Sequence, residues 1–433
     1  MAFDQYLLKD LPVSIIDGDR GKAYPKRSEF TNSGHCLFLN AGNVTSTGFD
    51  FSDCSFISEE RHSLLRKGTL QRGDSVLTTR GTVGNVSFYS DSVPFEIMRI
   101  NSGMVIFRCD ETVLDPLFFY WFLRSSRFSS QVELLTTGSA QPQLPIRDIK
   151  EISVSLPKLL EQKAIAHILG TLEDKIELNR KTNETLEDIA KALFKSWFVD
   201  FDPVRAKVEG RPTGLPYEID ELFPDSFEES ELGEIPSGWR AASIYEISKV
   251  VYGAPFSSKL FNTAGKGIPL ARIRDLKTGS PGVYTEETHP KGCLIEPGDS
   301  VVGMDGEFRP YLWSSEKCWM NQRVCKFVPS RRESNNFVRQ SIARPLMDVE
   351  LSETATTVIH LGKSDIDRFQ IVIPSKEVLE IFDSVASPIE ASVVSGNQQN
   401  TILSSLRDAL LPRLISGELR VSDAVKMLEE VGI

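Results

Sequence analysis

The chain has 433 residues, with 40% apolar side chains, 49 basic and 60 acidic residues and a net charge of −11. This length suggests two or three domains with real cores, which excludes a globally disordered chain. No run of 18 apolar residues exists to cross a membrane, and no secretion signal is visible, so a cytoplasmic protein is expected. The six cysteines form no C-x-x-C pair and the five histidines are scattered, so free thiols and no metal site are expected.

Residues 1–157 form the first module. Short β-like runs (Cys36 to Leu39, Val76 to Thr79, Val86 to Tyr89, Met104 to Arg108) alternate with Gly, Asn and Ser turns, and one helical stretch, Pro116 to Phe128, interrupts them. The alternation Ile152, Val154, Leu156 before Pro157 predicts a half-buried strand that stops there.

A long helix is predicted over 158–199. Ile165, Leu169, Leu172, Ile176, Asn179, Asn183, Leu186, Ala190, Leu193 and Trp197 step by four and three throughout. That period of 3.5 is the coiled-coil pattern, broken by two central asparagines. The next stretch, 200–235, reads as an extended acidic linker, with prolines at 203, 212, 216 and 224 and eight acids but no base from Glu218 to Glu234. Much of the chain's negative charge sits there.

Residues 236–374 repeat the style of the first module, and 375–433 hold a second long helix and a tail. The repetition is specific. Gly73-Asp74-Ser75-Val76 recurs as Gly298-Asp299-Ser300-Val301, and Leu144 to Pro157 aligns without a gap with Leu361 to Pro374, an offset of 217. The same offset carries the heptad positions onto Phe382, Ala386, Ile389, Val393, Gly396, Asn400, Leu403, Arg407, Leu410 and Leu414. A period this long means two copies of a whole module, not a solenoid. Both seams turn polar or small at the same central place. This predicts that the two helices pair, with buried Asn fixing their register; a helix capping its own domain, with Asn in water, is the alternative. Gly396 is expected to weaken its helix by about 1 kcal/mol relative to Ala.

No catalytic pattern accompanies this duplication. There is no Walker loop, no zinc cluster, no G-x-S-x-G elbow, no Asn-Pro-Pro-Tyr-like stretch and no Gly-rich loop for S-adenosylmethionine. Glu173-Asp174-Lys175 lies on the polar face of the heptad helix as a solvated charge group. Recognition explains a duplicated module without active-site machinery better than reaction does.

Leu159-Leu160-Glu161-Gln162-Lys163-Ala164-Ile165-Ala166 opens the first helix and Phe194-Lys195-Ser196-Trp197-Phe198-Val199-Asp200-Phe201-Asp202-Pro203-Val204 closes it. Gly233-Glu234-Ile235-Pro236-Ser237-Gly238-Trp239 starts the second module, and Leu411-Pro412-Arg413-Leu414-Ile415-Ser416-Gly417-Glu418-Leu419 lies near the end. Together, and over essentially the whole chain, these strings resemble the specificity subunits of type I restriction–modification enzymes. The resemblance implies an α+β chain of two target-recognition domains, each followed by a long helix, with the helices packed antiparallel as a coiled coil. It implies a non-catalytic subunit that reads the two halves of a bipartite DNA site. Its partners would be double-stranded DNA, two methyltransferase subunits docked on the helices and two restriction–translocase subunits. S-adenosylmethionine, ATP and magnesium would sit on those partners, and this chain would carry no cofactor. The two modules share only a skeleton, so unlike half-sites are expected. A protein-only scaffold and a self-contained DNA-modifying enzyme are the competing readings.

Readout needs side chains that match base edges, and positioning needs groups for phosphates. In the first module the expected DNA contacts are Thr78, Thr79, Arg80, Thr82 and Asn85 in a Gly-rich loop. Ser139, Gln141 and Gln143 form a second polar loop, and Arg20, Lys22, Lys26 and Arg27 a basic one. In the second module they are Ser257, Ser258, Lys259, Arg272, Arg274, Asp305, Arg309, Arg323 and His360, with Asp305 suited to accept from cytosine.

Overall fold

The computed structural model describes residues 3–138, 141–352 and 359–430. The chain divides into two compact units, residues 1–175 with 403–433, and residues 176–402.

The first unit is built on a four-stranded antiparallel sheet in the order Val13–Asp17, Met104–Cys109, Ser75–Thr78, Val86–Phe88. Its register sets Ile106 opposite both Ile16 and Val76. A three-stranded sheet holds Cys36–Leu39 between Phe56–Ile57 and a parallel neighbour, Met98–Ile100. Leu37, Leu39, Val76, Met98, Ile100 and Ile106 fill the core between them. Asp4–Leu7 pairs antiparallel with Ser153–Leu156 and so ties the two ends of the module together. The helical stretch expected from 116 to 128 is two helices, Pro116–Leu123 and Ser126–Leu135. Ser125 separates them because its hydroxyl accepts from the Phe128 amide and caps the second.

The second unit repeats this plan, with the smaller sheet enlarged from three strands to five. Its four-stranded sheet runs Ser248–Tyr252, Val324–Pro329, Ser300–Gly303, Pro310–Leu312. Ile268–Ala271 and Cys318–Met320 form the parallel pair, and Arg240–Ser243 pairs with Gln370–Ile373 at the module's ends.

The repeated Gly-Asp-Ser-Val motif has a structural explanation. Gly73 and Gly298 hold φ of 89° and 90°, a left-handed conformation that favours glycine. Asp74 accepts from the Gln71 amide at 2.7 Å and pairs across the sheet with Arg108 at 2.7 Å. Asp299 does the same with the Glu296 amide at 2.9 Å and Lys326 at 2.8 Å. The Ser-Val pair then enters the central sheet fully buried.

Two long helices, Leu159–Phe198 and Lys376–Ser416, contribute to both units. Within the second unit they run antiparallel. The Asn179 amide donates to Gln399 Oε1 at 2.7 Å and Asn400 Oδ1 at 3.0 Å. Asn183 donates to Asn397 Oδ1 at 2.8 Å and Val393 O at 3.2 Å. Phe194 meets Phe382 edge to face and Trp197 meets it at a tilt, each with ring centroids 6.2 Å apart. Within the first unit Glu173 pairs with Arg407 and, at 3.7 Å, with Arg124, so this carboxylate is engaged and not merely solvated. Ile165, Leu169, Leu172, Leu403 and Leu410 are buried in that unit. Phe382, Val393 and Asn183 are buried in the other, where Ile176, Leu186, Leu193 and Ile389 are half-buried.

The stretch 200–235 is not extended. It forms the helix Asp202–Val208, a turn of helix at Tyr217–Asp220 and a hairpin of Phe227–Ser230 with Gly233–Pro236. Phe201, Val204, Phe223 and Ile235 are buried with Trp197, Phe198 and Trp239. Acids and prolines dominate the composition here, but these widely spaced apolar anchors hold the segment on the core while most of the acids face water.

Candidate nucleic-acid interface

Two backbone hydrogen bonds and one isolated β-bridge build the same frame in each module, at the end of the four-stranded sheet. In the first, the Thr79 amide donates to Gly103 O at 2.8 Å, the Leu144 amide donates to Thr79 O at 3.0 Å, and Arg80 bridges Gln143. In the second, Met304 donates to Arg323 O at 2.9 Å, Leu361 donates to Met304 O at 2.8 Å, and Asp305 bridges His360. Residues 80, 103 and 143 therefore correspond to 305, 323 and 360. A close backbone approach beside each frame has the same origin. A Cβ on Gly18 would lie 2.1 Å from Asn101 O, and one on Gly253 would lie 2.0 Å from Asn321 O, so only glycine fits.

In the first module this frame gathers residues from three separate loops. Arg20, Thr79, Arg80 and Gln143, with Asp17, line one cleft of about 220 Å³. Arg80 is exposed, and Arg20 pairs with Asp17 at 3.0 Å. The two threonines point inward. Thr78 is fully buried, its hydroxyl donating to Thr82 O and accepting from the Asn85 amide at 3.0 Å. The Thr79 hydroxyl donates to Gly103 O at 3.0 Å. Asn85 is tied to Val44 O at 3.0 Å through its side-chain amide. Thr78 and Asn85 thus hold the loop's shape, while Thr82 and Gln141 are exposed. Lys22, Lys26 and Arg27 are exposed and do not line the cleft. Ser139 lies outside the described residues.

In the second module Asp305, Arg323 and His360 come together. His360 Nδ1 lies 2.6 Å from Asp305 Oδ1, and Arg323 Nε lies 3.6 Å from Asp305 Oδ2. Arg309 is drawn instead to Glu350, and Arg272 to Asp275 at 3.0 Å, where it closes the N-terminus of a short helix. Ser257, Ser258, Lys259 and Arg274 are exposed, and among the described residues neither Lys259 nor Arg274 makes an ion pair. The Ser257 amide donates to Glu287 at 2.8 Å. Sequence reasoning missed Asp17, Asn101 and Gly103. A signal existed in the copies Ile100-Asn101 and Met320-Asn321, each just before the central strand. Among the described residues no group of three or more His, Cys, Asp or Glu side chains could hold a metal ion.

Residues 8–188 match the family model of the type I restriction modification DNA specificity domain. The chain is 25% identical over 467 residues to the HindI specificity subunit of Haemophilus influenzae, covering 93% of this chain and 98% of that protein. It is 26% identical over 401 residues to the MjaIX specificity subunit of Methanocaldococcus jannaschii, covering 89% and 84%. The chain is thus similar to type I restriction enzyme specificity subunits along most of its length. Its fold is similar to that of the S subunit from M. genitalium, which superposes with a TM-score of 0.58 at 14% identity, covering 95% of this chain and 96% of that one. The HindI similarity extends beyond residue 188 into the second module and second long helix.

Proposed function

We propose that this chain is the non-catalytic specificity subunit of a type I restriction–modification complex and selects the DNA sequence on which its partners act. The observation that carries this reading is the duplicated frame: one backbone arrangement, built twice, with different residues at its corners. Rigid scaffolds that present variable polar groups suit the reading of base edges. Each module reads one half of a bipartite, asymmetric site. The long paired helices separate the half-sites and receive two methyltransferase subunits, and two restriction–translocase subunits join for cleavage. S-adenosylmethionine, ATP and magnesium belong to those partners, and the complex works in the cytoplasm. No helix among the described residues is long and apolar enough to cross a membrane, which accords with this setting.

The test is genomic adenine methylation in a host that expresses the methyltransferase partner with and without this chain. A new methylated motif split by a fixed unread gap is expected. Exchange of residues 1–157 for another first module should alter one half of that motif only. Absence of new methylation from a verified complex would favour a protein-only scaffold.

A further inference from the structure

We infer that the three corners of the repeated frame are the specificity-determining positions of each module: Arg80, Gly103 and Gln143 in the first, and Asp305, Arg323 and His360 in the second. This inference rests on the DNA-recognition reading and says which residues execute it. The frame is held by backbone hydrogen bonds, 2.8–3.0 Å long in both modules, so its shape does not depend on the side chains at the corners. Those side chains differ at every corner. Such positions can change what a module reads without changing how it folds.

The corners are occupied in a compensated way. In the first module the turn corner carries the guanidinium and the loop corner carries nothing. A Cβ on Gly103 would lie 3.7 Å from the Arg80 Cβ and 3.2 Å from Asn101 Oδ1, so glycine leaves the space beside Arg80 open. The second module inverts this. The turn corner holds the short Asp305, and the loop corner holds Arg323, 3.6 Å from that carboxylate. Asp305 is only 23% exposed and is engaged by His360, whereas the Arg323 and His360 side chains are 54% and 59% exposed. Asp305 is therefore a positioning residue, and Arg323 and His360 are the groups turned outward. The corners of each frame carry one guanidinium, the group that reads guanine through two parallel hydrogen bonds, but at a different corner. The two half-sites are unlike because the same frame is charged differently.

The experiment uses the assembled methyltransferase complex on duplex pools in which one half-site at a time is randomised, with methylated sequences read out. Arg323→Ala is expected to lower discrimination roughly ten- to a hundred-fold at one base of one half-site, and Arg80→Ala at one base of the other. Asp305→Ala should relax the same base as Arg323→Ala, and Asp305→Asn, which keeps an acceptor for His360, should retain part of the preference. The combined change Asp305→Arg, Arg323→Gly and His360→Gln should give a new preference in that half-site alone. If the combined variant does not assemble, the single variants decide. Variants with an unchanged motif, or with relaxation spread over both half-sites, would overturn the inference while leaving DNA recognition intact. Unselective methylation by the unaltered complex would overturn the recognition reading itself.

Discussion

Gly396 sits directly against Asn183. A Cβ on Gly396 would lie 2.5 Å from the Asn183 Oδ1 and 2.9 Å from its Nδ2, while that amide donates to Asn397 and Val393 on the same helix. The glycine expected to weaken the second long helix is the space into which the buried asparagine of the first helix fits.

Gly396→Ala should therefore destabilise the chain even though alanine is the better helix former by about 1 kcal/mol. Overpacking of this kind costs about 1–3 kcal/mol, and the displaced amide adds the loss of its hydrogen bonds. Asn183→Ala combined with Gly396→Ala should recover part of the loss. Urea unfolding of the two single variants and the double variant measures the coupling; additive effects would contradict the fit described here.

Two neighbours in the Gly-rich loop should behave in opposite ways. Thr78→Val removes the hydroxyl that serves Thr82 O and the Asn85 amide, and should cost about 1–3 kcal/mol of stability with base preference retained. Arg80→Ala, at an exposed corner, should change stability by less than about 0.5 kcal/mol. It should weaken sequence-specific binding by about 1–3 kcal/mol. Thermal unfolding and duplex binding by the assembled complex separate the two.

Arg108→Ala should be more damaging than its position near the surface suggests. Asp74 is 1% exposed and takes two parallel hydrogen bonds from Arg108, at 2.9 and 2.7 Å. Removal of the cation leaves a buried carboxylate without its charge partner, at a cost of about 3 kcal/mol. Adding Asp74→Asn should restore part of it, and the melting temperatures of the three proteins check this.

Stability should carry a signature of Asp383. Its carboxyl is buried, accepts from Ser334 Oγ at 2.6 Å, and is raised above the ordinary 3.8 chiefly by burial, with Glu333 and Glu380 adding and Ser334 and Arg331 opposing. The folded chain therefore holds this proton more tightly than the unfolded one. Stability from this group is full below about pH 4 and falls as pH rises through its raised native value. Asp383→Asn should flatten that decline and make the protein more stable at neutral pH; urea midpoints across the pH range test it.

The sequence by itself determined what depends on near neighbours. The heptads from Ile165 to Trp197 are legible because residues three and four apart share a helix face, and the strand ending at Leu156 because alternate residues share a sheet face. The duplication was equally plain in Gly73-Asp74 and Gly298-Asp299. The purpose of those aspartates was not, because Arg108 and Lys326 reach them across strands 34 and 27 residues away in sequence. The acidic stretch from 200 to 235 hid its anchors for the same reason: Phe201 and Phe223 earn burial only against Trp239, Trp197 and Phe198, which composition does not display. In the candidate site, the loops were marked by their residue types, but strand pairing chose among them. It turned Thr78 inward and Arg80 outward, and it brought Arg20 and Gln143 to one cleft from opposite ends of the module. Helical faces are set within a few residues of chain. The frame is set by hydrogen bonds between strands and loops far apart in sequence, so only the tertiary structure could close it.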